Sequence, residues 1–209
     1  MYISLINKLG YIHIPKNGGS TVSKVLSQHL TYFDILVGGV KEYKEIDQHY
    51  HWNFKISKHS TYEQMKKYTD QFEINWFTTF REPISRVVSI YKFSKNRPNL
   101  YIGYDYRNIN TFIQSDMFIN SNGVDLLHAS QSSFLKVNGK LNESIKIFSL
   151  ENLTLLSNYL SKALDKKIDI SIKENVSTIN ESFDLEKKSI EIIHNKYSED
   201  FDLYQKLNF

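Results

Sequence analysis

The segment Tyr11-Ile12-His13-Ile14-Pro15-Lys16-Asn17-Gly18-Gly19-Ser20-Thr21-Val22 restricts the fold more than any other part of the chain. An apolar, β-prone run stops at a proline. A lysine, two glycines and two hydroxyl residues follow, and helical spacing then begins at Val22, Val25, Leu26 and Leu30. A strand that enters a helix through so short a turn is the first half of a β-α unit, the building block of an α/β sheet. The turn also has a chemical consequence. Backbone N–H groups at the positive end of a helix dipole form a site for a phosphate-like anion, and Lys16 adds a mobile positive charge beside them.

The pattern repeats along the chain. Leu9–Ile14 is expected to be a strand and Ser20–Leu30 its helix. Phe72–Phe80 is the best strand, ending in Arg81-Glu82-Pro83, with a helix following to about Ser94; proline in a first helical turn is favourable. Lys55–Ser57 is expected to be a short strand. Ser60-Thr61-Tyr62-Glu63 has the spacing of a capping box that opens a helix to about Tyr68. Asn96–Asn110 is expected to be a loop and Thr111–Phe118 a helix. Ile145–Leu150 and Leu153–Leu164 form another strand and helix, and Asp184–Leu207 is helical with a break near Ser198. The long stretch Val37–Phe54 has no clear period. This alternation predicts an α/β fold: one domain over residues 1–209, with a central, mostly parallel sheet flanked by helices.

Composition narrows the function classes. In 209 residues, 26 Lys and Arg oppose 23 Asp and Glu, a net charge of +3. That is too mild for a nucleic-acid-binding tail and fits an anionic ligand. With no cysteine, disulfides, thiol nucleophiles and cysteine-based metal sites are excluded. No apolar run is long enough to span a membrane, and Met1–Lys8 lacks the charged start and cleavage site of a secretory leader, so a cytoplasmic protein is expected.

The order of residues in the loop is informative. A Walker A loop places its lysine after the glycines, whereas Lys16 precedes them, which argues against a nucleotide-dependent phosphotransferase. The segment Arg81-Glu82-Pro83-Ile84-Ser85-Arg86-Val87-Val88-Ser89-Ile90-Tyr91 stands at a second strand-to-helix junction. Arg81 ends the strand, and Arg86 and Ser89 follow three residues apart in the helix. A guanidinium fork and a hydroxyl suit a second phosphate. The alternatives are a glycine turn that only caps its helix, and arginines that pair with Glu82 or surface carboxylates.

On these two segments the chain resembles the sulfotransferases. Ile14 to Thr21 is similar to their 5′-phosphosulfate-binding loop, and Arg81 to Tyr91, read as R-x-P-x-x-R-x-x-S-x-Y, to their 3′-phosphate-binding segment. The wording His13-Ile14-Pro15-Lys16 before the glycines is closest to the carbohydrate branch, of the heparan sulfate O-sulfotransferase type. Asn17 departs from the threonine or serine usual in relatives. Weaker likeness continues at Lys55–His59, Gln131–Leu135, Glu151–Leu153 and Asn175–Ser177.

The resemblance implies a P-loop-like α/β fold and the donor 3′-phosphoadenosine 5′-phosphosulfate (PAPS), with no metal required. Lys16 would stabilise charge on the leaving phosphate. Asn17, Gly18, Gly19, Ser20 and Thr21 would cradle the 5′-phosphate, and Arg81 and Ser89 would hold the 3′-phosphate, with Arg86 a weaker candidate. His59 matches the position of the family's catalytic base, and histidine titrates near neutrality; His51 and Glu63 are the reserves, and His13 is more readily structural. The spacing of His49, His51 and His59 fits no standard zinc pattern. Arg97, Tyr101, Tyr104, Tyr106 and Arg107 crowd one loop. Aromatic faces pack on sugars and arginines bind carboxylates or sulfates, so the expected acceptor is a glycan, contacted by Arg97, Tyr104, Arg107 and His51. A tyrosine-containing peptide, a small metabolite, or a module that binds PAPS without catalysis are the other readings.

Overall fold

In the computed structural model, the described residues are 1–38, 53–121, 126–170 and 183–207. They form two compact units: Met1–Phe80 with Ser133–Asn175, and Arg81–Ser132 with Val176–Phe209.

The first unit carries a five-stranded sheet. Its strands are β1 (Tyr2–Ser4), β2 (Leu9–Ile12), β3 (Ile35–Leu36), β4 (Asn75–Phe80) and, after a short hairpin of β5 (Lys136–Val137) and β6 (Lys140–Leu141), β7 (Lys146–Ser149). Their order across the sheet is β3-β1-β2-β4-β7. The β2–β4 and β4–β7 pairs are parallel, as expected of β-α units. The sheet is nevertheless mixed rather than mostly parallel, because β1 runs antiparallel to both β2 and β3. A tight turn, in which Asn7 N–H donates to Ser4 Oγ at 3.1 Å, folds β1 straight back onto β2.

Helices cover both faces of this sheet. Helix α1 (Gly19–Ser27) supplies Val22, Val25 and Leu26, and helix α6 (Thr154–Leu164) supplies Leu156, Leu160 and Leu164, to a core with Tyr2, Leu9, Tyr11 and Phe77. Strand side chains alternate, so Trp76 faces the other way, and Tyr62 of α2 (Tyr62–Thr69) meets it edge to face at 5.5 Å. Lys55–Ser57 forms no strand. Lys55 holds a positive φ of 54°, and Ser60 N–H closes a turn on the Ser57 carbonyl at 3.1 Å, so the segment bends where a ladder needs it extended. The capping box of α2 is built one residue later than the sequence suggests, between Thr61 and Gln64.

The second unit is helical: α3 (Pro83–Lys95), α4 (Ile109–Ile113), α5 (Asp116–Asn120), α7 (Lys187–Lys196) and α8 (Ser198–Lys206). Its core joins Val87, Ile90, Tyr91, Phe112, Ile113, Phe118, Ile193 and Tyr197. The single helix expected over Thr111–Phe118 is two short ones, because Ser115 starts α5 as an N-cap by accepting from Phe118 N–H. The break expected near Ser198 falls at Tyr197, whose hydroxyl donates to the His128 carbonyl at 3.0 Å. Among the described residues no helix is long and apolar enough to cross a membrane.

Candidate active site

The residues named from sequence divide between the units. Lys16, Asn17, Gly18, Gly19, Ser20, Thr21, His59, His13 and Glu63 belong to the first; Arg81, Arg86, Ser89, Arg97, Tyr104 and Arg107 belong to the second. His49 and His51 lie outside the described residues, as does Asn175–Ser177.

In the first unit the loop leaves the C-terminal end of β2, the end of parallel strands where ligands gather in open α/β sheets. Its backbone is shaped for close approach. Gly18, the N-cap of α1, has φ +72°, and a Cβ there would lie 2.3 Å from Leu150 Cδ1, so a side chain at this position would be strained and would have to displace Leu150. Lys16 also holds a left-handed φ, 67°, without glycine's freedom, a strain of about 1–3 kcal/mol that the surrounding contacts must over-determine. Those contacts are made by Asn17. It is fully buried, its Nδ2 donates to the Thr79 carbonyl at 2.9 Å, and its own carbonyl accepts from Thr79 Oγ1 at 2.7 Å. Tyr11 OH and Thr79 Oγ1 share a further bond at 3.0 Å. The Asn17 side chain thus ties the loop to β4, and Thr21 is buried as well.

Helix α1 opens onto this loop with no side-chain cap and no acidic residue in its first turn. Thr21 N–H and Val22 N–H both turn back to the Gly18 carbonyl, at 3.0 and 3.3 Å, so the donors that the helix itself leaves over at this positive end are the N–H groups of Gly19 and Ser20.

His59 stands half-buried beside the loop. Its Nδ1 is 2.8 Å from the His13 carbonyl oxygen. A carbonyl only accepts, so Nδ1 carries the proton and the lone pair of the neutral ring lies on Nε2, the arrangement a general base requires. His13 itself is buried, and burial, reinforced by the N-terminal ammonium and then Lys58, holds its pKa well below the ordinary histidine value. Glu63 is engaged elsewhere: it accepts from Asn138 N–H at 2.8 Å.

The second unit has a different construction. Glu82 is the N-cap of α3, and its carboxylate accepts from both Ile84 N–H and Ser85 N–H at 2.9 and 2.6 Å. This helix end already holds its own anion. Any ligand here must be taken by side chains, of which Arg81 and Ser89 are both partly exposed. Arg81 is fixed through its backbone. Gln131 Oε1 accepts from Arg81 N–H at 3.0 Å, and Gln131 Nε2 donates to the Arg81 carbonyl at 2.9 Å. Gln131 is held in turn by buried Asp200, which accepts from Gln131 N–H at 2.7 Å and Ser132 N–H at 2.8 Å. Burial raises the Asp200 pKa, and Arg86 and these hydrogen bonds oppose that rise. Arg86 is structural: it is 1 % exposed, donates to the Leu127 carbonyl at 3.2 Å and lies over the Tyr197 ring at 5.8 Å.

The tyrosine-rich loop belongs largely to the core of the second unit. Tyr104 stacks on His128 at 5.1 Å and Tyr106 on Phe112 at 5.7 Å. Arg97 lies over Phe93 at 4.0 Å. Arg107 grips Asp105 through Nε and a terminal nitrogen, and this grip lowers the Asp105 pKa to about 2. Arg107 also lines an open groove of about 310 Å³ with Lys95, Tyr91, Asn110, Phe183 and Asp184. Among the described residues no group of three or more His, Asp or Glu side chains converges as a metal site.

Gln131 and Asp200 were not legible as site residues in the sequence. The only signal was the weak likeness around Gln131–Leu135, and nothing linked it to an aspartate 69 residues away.

A parallel strand that leads through a lysine and two glycines into a helix with no side-chain cap, with a histidine held beside that strand's end, defines an α/β protein with its candidate site at a βα loop. The chain belongs to the sulfotransferase family, whose family model matches residues 2–206. No curated protein and no solved structure matches it.

Proposed function

We propose that this chain is a PAPS-dependent sulfotransferase, working as one domain, that moves a sulfuryl group to an acceptor hydroxyl, with a carbohydrate the favoured acceptor. The observation that carries the reading is the opening of α1: a helix N-terminus with no side-chain cap and no first-turn acid, reached through a loop that bears a lysine and two glycines. Such an end accepts phosphate or phosphosulfate with its N–H groups.

In this reading the N–H groups at the start of α1 bind the 5′-phosphate in the P-loop-like manner of the family. Lys16 neutralises the charge that grows on the phosphate oxygen as its bond to sulfur breaks. His59 Nε2 takes the proton from the acceptor hydroxyl as the new S–O bond forms. Arg81 and Ser89 hold the 3′-phosphate, with Gln131 fixing the Arg81 backbone. Arg107, Arg97 and Lys95 supply the positive charge that suits a carboxylated or sulfated sugar.

The test has two stages. Adenosine 3′,5′-bisphosphate should raise the melting temperature more than ATP with Mg²⁺, and labelled sulfate should then pass from PAPS to a member of a glycan, peptide and phenol panel. Preferential stabilisation by ATP would overturn the donor assignment. Stabilisation by the bisphosphate with no transfer to any acceptor would leave a binding module and remove the enzyme.

A further inference from the structure

His13 follows the last residue of β2 and touches two parts of the site at once. Its ring is 3 % exposed. One edge faces the first residue of α1, where a Cβ on Gly19 would lie 2.1 Å from both Cδ2 and Nε2 of the ring. Glycine at position 19 is therefore demanded by a neighbouring ring and not by its own backbone angle. Ser23 Oγ, one turn further along α1, is 3.4 Å from His13 Nδ1. On the other side the His13 and His59 rings meet edge to face at 4.8 Å, and the His13 carbonyl accepts from His59 Nδ1–H.

We propose that His13 is a positioning residue for His59: its carbonyl holds His59 in the Nδ1–H tautomer, and its ring sets the spacing between His59 and the start of α1. The proposal rests on the reading of His59 as the base. Proton uptake at His59 Nε2 requires the lone pair there, and a fixed acceptor at Nδ1 keeps it there through every turnover. The ring of His13 has to stay uncharged for this. A positive ring so close to His59 would oppose the imidazolium that forms during catalysis, and it would also face the positive end of α1. Burial keeps it neutral, with the N-terminal ammonium and Lys58 pressing in the same direction, and with His59 adding to them only once it has taken up its proton.

The contact with Gly19 gives a direct test. Gly19→Ala pushes a methyl into the space of the His13 ring; His13→Ala empties that space; the double variant places the methyl in the vacancy. Nitrogen-15 NMR of the histidines should show His59 as the Nδ1–H tautomer in the native protein, with His13 neutral below pH 6. Gly19→Ala should give His59 a mixture of tautomers. Turnover should fall about tenfold or more in each single variant, as expected for a displaced base, and the double variant should be no worse than His13→Ala alone. An Nε2–H tautomer of His59 in the native protein, a tautomer unmoved by Gly19→Ala, or fully additive losses would each overturn the proposal. The native spectrum decides the carbonyl contact even where a variant fails to fold. If sulfate transfer is absent altogether, the functional reading fails while the NMR result still decides the positioning.

Discussion

Two junctions in this chain look alike as sequence and differ as structure. Each is a strand, a short turn with a basic residue and a proline, and a helix. At the first, α1 opens with no side-chain cap, and the loop before it is strained at Lys16 and closed at Gly18. At the second, Glu82 folds its carboxylate back over the first N–H groups of α3. One helix end has neither a side-chain cap nor a first-turn acid, and under the proposed function it receives an anion; the other already holds a carboxylate. A phosphate at the second junction must therefore be read by a guanidinium and a hydroxyl, which discriminate by geometry, and not by a dipole, which accepts any anion.

The comparison breaks most sharply at Lys16. Lys16→Gly removes the charge and relieves the positive φ, so turnover should fall by about a hundredfold to a thousandfold while the melting temperature holds or rises. Steady-state kinetics with calorimetry checks both halves. A loss of activity that merely follows a loss of stability would return Lys16 to the scaffold. Gln131→Ala should cost about 1–3 kcal/mol by leaving the backbone N–H and carbonyl of Arg81 short of partners, while the Asp200 bond to the backbone N–H of residue 131 is kept, and it should weaken adenosine 3′,5′-bisphosphate binding in isothermal titration.

Each region is also backed by a buried histidine kept neutral. His13 lies behind the loop with its pKa well below the ordinary value, and burial lowers the His128 pKa to about 3. Below about pH 6.5 the unfolded chain binds protons that the folded rings refuse. The stability from these rings is complete above that pH and is lost as pH falls toward their folded values, at a limiting slope of about 1.4 kcal/mol per pH unit for each ring. Asp200, whose pKa burial raises, works in the opposite sense, adding stability as pH falls through its raised folded value toward the ordinary carboxylate value. Urea titrations between pH 7.5 and 5 should show a plateau down to about pH 6.5 and a decline below it, and a flat profile across the whole range would mean that the rings are not held neutral.

Smaller effects sharpen the contrast at the two helix ends. Glu82→Ala should cost about 1 kcal/mol as the cap of α3 is lost. Ser20→Asp, which adds the missing first-turn acid to α1, should stabilise the fold by about 0.3–1 kcal/mol and yet weaken bisphosphate binding. Were Ser20→Asp neutral toward the ligand, the open end of α1 would not be its site.

How much of this was legible follows from range. The βα turns, Pro83 at the start of α3, the helix over 154–164 and the break beside Ser198 rest on local pattern, and they appear within a few residues of where periodicity puts them. The antiparallel side of the sheet does not. Tyr2–Ser4 and Ile35–Leu36 are too short to carry a period, and only pairing with each other and with β2 makes them strands. The β5–β6 hairpin had a local signal, the Asn138-Gly139 turn, which is among the strongest for a two-residue hairpin loop.

The family and the two βα junctions proposed to bear the chemistry were readable from the sequence alone, because a proline, two glycines and a lysine in fixed order act through neighbouring backbone atoms. Tertiary structure decided how each segment is used. It turned Asn17 inward onto Thr79, set Gln131 against Arg81, buried Arg86, and brought His59 to the carbonyl of a residue 46 positions earlier. Those contacts join atoms far apart in the chain. Local preference does not encode them; the packing of β4 beside β2, and of each helix on its own core, does.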